Sequence, residues 1–138
     1  MMVMEKIIVT LVCTTIAALL VLGQEGPKAS IARGKNIYEQ YCLSCHQADG
    51  SGVPGMNPPL IKTSWVKGDK KKLIKWVLQG SAENVPIDGQ SYSNNMAAQN
   101  FLKDQELADV LTYIRNSFDN KQSAVTATEV KTTRSTIK

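Results

Sequence analysis

The apolar positions of this chain fall into four stretches separated by long polar ones. The first, residues 7–22 (IIVTLVCTTIAALLVL), is an uncharged run directly after Lys6, with small and polar residues following from Gly23. That is the shape of an export signal. The run is slightly long for a signal core and slightly short for a membrane span, which takes about 20 apolar residues. Cleavage after Gly23 is the first expectation, and an uncleaved anchor using residues 7–22 as a membrane tether is the second. Cys13 is a poor lipidation site, because the run continues well past it and Val12 before it is not small.

The other three stretches have helical spacing. Ser30 can cap a helix in which Gly34, Ile37, Tyr38 and Tyr41 share a face. Asp69 is a good cap for a second helix, which carries Leu73, Trp76 and Val77 on its apolar side and stops at Gly80. In the third, Leu107, Val110, Leu111 and Ile114 follow the i, i+3, i+4, i+7 rule, with Asp104 and Glu106 in the first turn and Arg115 near the end, as the helix dipole favours. Between them, ADGSGVPGMNPP (residues 48–59) and the polar residues 81–100 read as loops. The expected organisation is a leader or anchor over 1–23, a linker over 24–29, one helical domain over 30–118 and a mobile polar tail over 119–138.

Three short helices bury too little surface to fix loops this long, since loops beyond about 12–15 residues are rare in a small domain unless they serve a function. No strand pattern helps. Something other than side chains must fill the middle.

The chemistry at residues 42–46, CLSCH, says what. C-x-x-C-H is the attachment signature of c-type haem: the two sulfurs bond to the porphyrin edge, and the adjacent imidazole turns onto the iron. Zinc would need four ligands, and no second Cys or His cluster completes a set. A redox dithiol would follow a strand, whereas Cys42 follows a helix. A disulfide or a pair of free thiols is the plain alternative. Once residues 1–23 are removed, however, Cys42, Cys45 and His46 are all the cysteine and histidine that remain.

His46 then fills one axial position of the iron, and Met56 and Met96 are the candidates for the other. Met56 sits ten residues from His46 in the loop that must support the histidine. Met96, fifty residues on and beyond a whole helix, can wrap the far side, so it is the expected ligand, against the plainer role of a surface or core methionine.

From Ser30 to about Asn120 the chain resembles the class I, mono-haem c-type cytochromes of the bacterial soluble or dehydrogenase-associated type. The matches are Gly34 to Tyr38 (GKNIY), CLSCH, Asn57 to Leu60 (NPPL), Tyr92 to Met96 (YSNNM) and Leu107 to Ser117 (LADVLTYIRNS). The resemblance implies an all-α cytochrome c fold, short helices and long loops wrapped around one covalent haem. It implies that Gly34 and Tyr38 of the first helix meet Val110 and Tyr113 of the last. It also implies that Pro58 offers its carbonyl to the Nδ1 hydrogen of His46 and that Leu60 packs on the haem. Two features depart from the family pattern. Ala97 and Ala98 stand where proline often follows the axial methionine, which would loosen that segment, and Lys103 stands where Ser or Thr often caps the last helix.

A haem with His46 and Met96 on its iron has no open position, which describes a periplasmic one-electron carrier, not an enzyme. Two other readings stand beside it: the haem-bearing acceptor subunit of a dehydrogenase or reductase complex, and a five-coordinate haem sensor or peroxidase if Met96 is not bound. Redox proteins (a dehydrogenase, a reductase or a terminal oxidase) are the expected partners. The formal charge is +4. Lys62, Lys67, Lys70, Lys71, Lys72 and Lys75 form either a docking patch for an acidic partner or a solvated helix face that balances the haem propionates. Nothing interleaves basic and aromatic residues as nucleic-acid binding would need.

Overall fold

The computed structural model describes residues 26–81 and 85–137, so the leader or anchor expected over residues 1–23, with its tether at 7–22, lies outside them. The described residues form six helices and no strand, which is the all-α fold expected. No helix among them is long and apolar enough to cross a membrane.

Helix α1 (Pro27–Tyr41) starts three residues before the expected cap. Pro27 sits in the first turn, where its fixed φ suits the helix and its missing N–H would have had no partner anyway. Gly26 is therefore the cap, and Ser30 is freed for tertiary work: its hydroxyl donates to Asp109 Oδ1 at 2.6 Å. Cys42 joins α1 to the single turn α2 (Leu43–His46). A second single turn, α3 (Ser64–Lys67), is capped by the Thr63 hydroxyl, which accepts from the Val66 N–H. Helix α4 (Lys70–Gln79) is capped by Asp69, as its sequence predicts, and ends at Gly80. Helix α5 (Asp104–Asn116) has Lys103 at its cap position. There the Glu106 carboxylate accepts from the Lys103 N–H at 2.8 Å, so the missing Ser or Thr leaves the helix start still tied.

The core lies where α1 crosses α5. A Cβ on Gly34 would collide with the Asp109 carbonyl oxygen and stand 2.8 Å from Tyr113 Cβ, so only glycine lets the two backbones approach this closely. Tyr38 packs with its ring centroid 5.4 Å from that of Tyr113 and 5.3 Å from that of Phe118. The expected meeting of Gly34 and Tyr38 with α5 thus runs through Asp109 and Tyr113, while Val110 is buried and turned to a cavity described below. Asp109, 2% exposed, holds the crossing together by accepting from Ser30, Gln105 and Arg33 Nε, the last at 2.6 Å.

The tail departs from expectation. The few large apolar groups of residues 119–138 predict a mobile segment, but the described part folds back as a sixth helix, α6 (Ala127–Arg134), against α4 and α5. Phe118 and Asp119, both at positive φ, reverse the chain. The side chain of Asn120 then donates to the carbonyls of Leu60 and Ile114, both at 2.9 Å, and accepts from the Lys62 N–H. Thr126 and Glu129 form a capping box, and Val125, Val130 and Thr133 are buried. Two small apolar residues and a network of directed hydrogen bonds dock this segment, which a count of large hydrophobic residues does not register.

Candidate functional site

The haem motif stands on the end of α1. Cys42 is half-buried and Cys45 exposed, and neither is bridged to another cysteine. Burial, with the nearby Cys45 adding to it, pushes the Cys42 thiol up to about 11 in the chain before anything is attached to it. One turn on, α2 ends at Gln47, whose φ of 65° turns the chain sharply and whose carbonyl accepts from the Tyr38 hydroxyl at 2.6 Å. The core aromatic thereby fixes where the motif stops.

The loop after it is built around His46. Gly52 N–H donates to the His46 carbonyl at 3.0 Å, and Leu60 N–H donates to that of Gly50 at 2.7 Å. This folding places the Pro58 carbonyl 3.0 Å from His46 Nδ1. A hydrogen bond there commits the proton to Nδ1 and leaves Nε2 with its lone pair available to a metal. Burial lowers the His46 pKa and outweighs the Pro58 bond, so the ring is neutral at ordinary pH.

Met96 arrives from the far end of the 85–100 loop. Two contacts tie this loop to the one before it: Ser93 N–H donates to the Gly55 carbonyl at 2.9 Å, and Asn94 N–H to that of Met56 at 3.0 Å. Met56 itself lies on the surface, 47% exposed. Met96 is half-buried and joins Cys42, Cys45, His46, Pro58 and Leu60 in the wall of one cavity of about 250 Å³. All six residues expected at the site are therefore gathered round a single space. The rest of its wall is mainly apolar, with Val66, Leu73, Trp76 and Val77 from α3 and α4 and Val110, Leu111 and Ile114 from α5.

Comparison with known proteins decides the family. The cytochrome c family model matches residues 31–118. A cytochrome c-552 of Thermus thermophilus is 34% identical over 129 residues, 87% of this chain and 85% of that protein. The chain belongs to the cytochrome c family.

Other relatives are parts of larger assemblies. The cytochrome c subunit of a quinone alcohol dehydrogenase from Gluconobacter oxydans is 30% identical over 105 residues, 75% of this chain but 22% of that subunit. The cytochrome subunit of a fructose dehydrogenase from Gluconobacter japonicus is 32% identical over 106 residues, again 22% of its length. Like its family, this cytochrome c carries covalently attached haem c and transfers electrons. The cavity suits that group in its donor chemistry: a neutral imidazole with one nitrogen free, a thioether, two thiols and apolar walls.

The six lysines that cluster in the sequence are divided by the fold of this cytochrome c. Lys70 pairs with Glu129 of α6 at 3.0 Å, and Lys62 with Asp119 at 3.5 Å. Lys72 lies 4.7 Å over the Trp65 ring, which packs on Trp76 with centroids 4.8 Å apart. Part of the cluster is thus engaged by the tail that was expected to be loose. Neither Ser81, whose hydroxyl oxygen accepts from the Met96 N–H at 2.9 Å, nor Asn120, whose side chain donates to the Leu60 carbonyl at 2.9 Å, carries a signal in the sequence. Each works through hydrogen bonds to backbone, which no motif or periodicity marks.

Proposed function

We propose that this haem c electron carrier holds its haem through thioether bonds from Cys42 and Cys45, with His46 and Met96 as the two axial ligands. The observation that carries this reading is the convergence of His46 and Met96 on one apolar cavity, with the His46 ring oriented by the Pro58 carbonyl at 3.0 Å. Bound there, the haem supplies a one-electron change between Fe(III) and Fe(II). The residues do the rest. Pro58 holds the Nδ1 proton and so makes the imidazole a stronger donor, while the soft thioether of Met96 favours the reduced state. Leu60, Val77, Val110 and Leu111 exclude water, which keeps the ligand set from being displaced.

The apolar run at 7–22 behind Lys6 supports export to the periplasm, with residues 7–22 either cleaved off or kept as a tether. A second reading, in which the chain serves as the acceptor of a dehydrogenase complex, draws on the likeness to cytochrome subunits named for alcohol and fructose dehydrogenases. Co-purification of a dehydrogenase with this chain would favour it.

The test is the absorption spectrum of the oxidised and reduced holoprotein beside Met96→Ala. The weak far-red Met–Fe(III) band is expected in the parent and absent in the variant. A parent that lacks the band and binds carbon monoxide readily has an open iron, and the sensor or peroxidase reading replaces the carrier's ligand set.

A further inference from the structure

The residues that follow Met96 pose a physical problem. Proline often stands next to the axial methionine in the family this chain resembles, and there it restricts the backbone on both sides of the bond. Here Ala97 and Ala98 occupy that stretch, and both are exposed. Nothing in their chemistry would keep Met96 in one place. The backbone contacts of Met96 point to a different device at the end of α4.

We propose that Ser81 is the positioning residue for Met96, holding the ligand segment in place of the absent proline. The inference rests on the reading of Met96 as an axial ligand. Ser81 grips both main-chain polar groups of Met96: its N–H donates to the Met96 carbonyl at 2.8 Å, and its hydroxyl oxygen accepts from the Met96 N–H at 2.9 Å. Two bonds on opposite sides of one Cα fix the direction in which the side chain leaves the backbone. Ser81 also lines the cavity itself.

The grip is anchored on a rigid element. Gly80, at φ 69°, turns the chain out of α4, and a Cβ there would collide with the Met96 carbonyl oxygen and stand 2.7 Å from the Ala98 nitrogen. The Gln99 N–H donates to the Val77 carbonyl at 2.9 Å, so residues 96–99 lie along the C-terminal end of α4. Ile74 and Leu78 of that helix are buried. A hydroxyl one carbon from the backbone is what reaches the Met96 N–H. Alanine leaves that N–H to water, and threonine keeps the acceptor.

Exogenous imidazole reads this directly, because it binds the ferric iron only in molecules whose methionine has left, so its apparent affinity scales with the open fraction. Titration of the full-length ferric holoprotein should show tighter imidazole binding in Ser81→Ala by about 2- to 13-fold, the range that one net hydrogen bond supplies. Ser81→Thr should return to the parent value. Gly80→Ala, which keeps the hydroxyl but spoils its seat, should also bind imidazole more tightly, and Met96→Ala sets the ceiling. The Met–Fe(III) band should fade at a lower temperature in Ser81→Ala while far-UV helicity melts as in the parent. A parent that shows the band while Ser81→Ala and Gly80→Ala keep the parent affinity overturns the role of Ser81 alone, as does a Ser81→Thr variant as loose as Ser81→Ala. A parent without the band overturns the ligation reading and this inference with it.

Discussion

Asp109 shows how much a single carboxylate can organise. It is 2% exposed and accepts from groups on both crossing helices. Burial alone would raise its pKa, but the bonds from Arg33, Ser30 and Gln105 outweigh it and hold the carboxyl below the ordinary aspartate value. A depressed native pKa contributes stability that is complete above the unfolded value, about pH 4, and is lost as pH falls through the native one. Asp109→Asn should therefore lower the urea midpoint at pH 7 yet flatten its decline in acid, as denaturation curves at several pH values would show. Arg33 is 41% exposed and can rehydrate, so the loss at pH 7 should be about 1.5–3 kcal/mol, below that of a fully buried pair. Asn120→Ala is a sharper case. It strands the Leu60 and Ile114 carbonyls and the Lys62 N–H, and a loss of about 2–4 kcal/mol is expected in the same assay.

Among the elements, the last helix carries the main surprise. Removing residues 121–138 should lower thermal stability and expose the faces of α4 and α5 on which Val125 and Val130 rest. Val130→Ala alone should cost about 2 kcal/mol by chemical denaturation, because the residue is 0% exposed. Three of the five helices before α6, namely α1, α4 and α5, were legible because each displays its apolar stripe in the spacing of its residues, and Asp69 announces the start of α4. α6 was not legible, since its docking depends on Glu129 and Arg134 reaching partners far off in sequence, Lys70 and Asp104. The start of α1 was misplaced for a local reason: Ser30 has the chemistry of a cap, but Pro27 before it already satisfied the geometry. The site divides the same way. Cys42, Cys45 and His46 fall within one pentapeptide, and Pro58 and Leu60, taken from likeness, and Met96, taken from its distance along the chain, line the same cavity as they do. The partner that grips Met96 is a serine in a polar stretch, where nothing distinguishes it from its neighbours.

For the molecule as a whole, the helices line a space that their own side chains do not close. A Cys42→Ser, Cys45→Ser chain should consequently lack a cooperative thermal transition by circular dichroism, because a domain this small has little stability to lose. Charge acts at the same scale. With a formal +4, the rate of electron exchange with an anionic reagent such as ferricyanide should fall several-fold between about 0.01 and about 0.5 M ionic strength, as stopped-flow absorbance would record. Lys70 and Lys62 are already paired with the tail, so Lys71 and Lys75 substitutions should shift that salt dependence more than theirs.

The bonds that join Ser30 and Arg33 to Asp109 span 79 and 76 positions of chain. Contacts so distant in sequence carry a loop-closure cost that local ones do not, because the intervening chain must surrender its freedom. A nascent chain presents Cys42, Cys45 and His46 before Asp109 has been made, and for that interval the crossing cannot form. Attachment ahead of the crossing of the first helix with the fifth is the expected order.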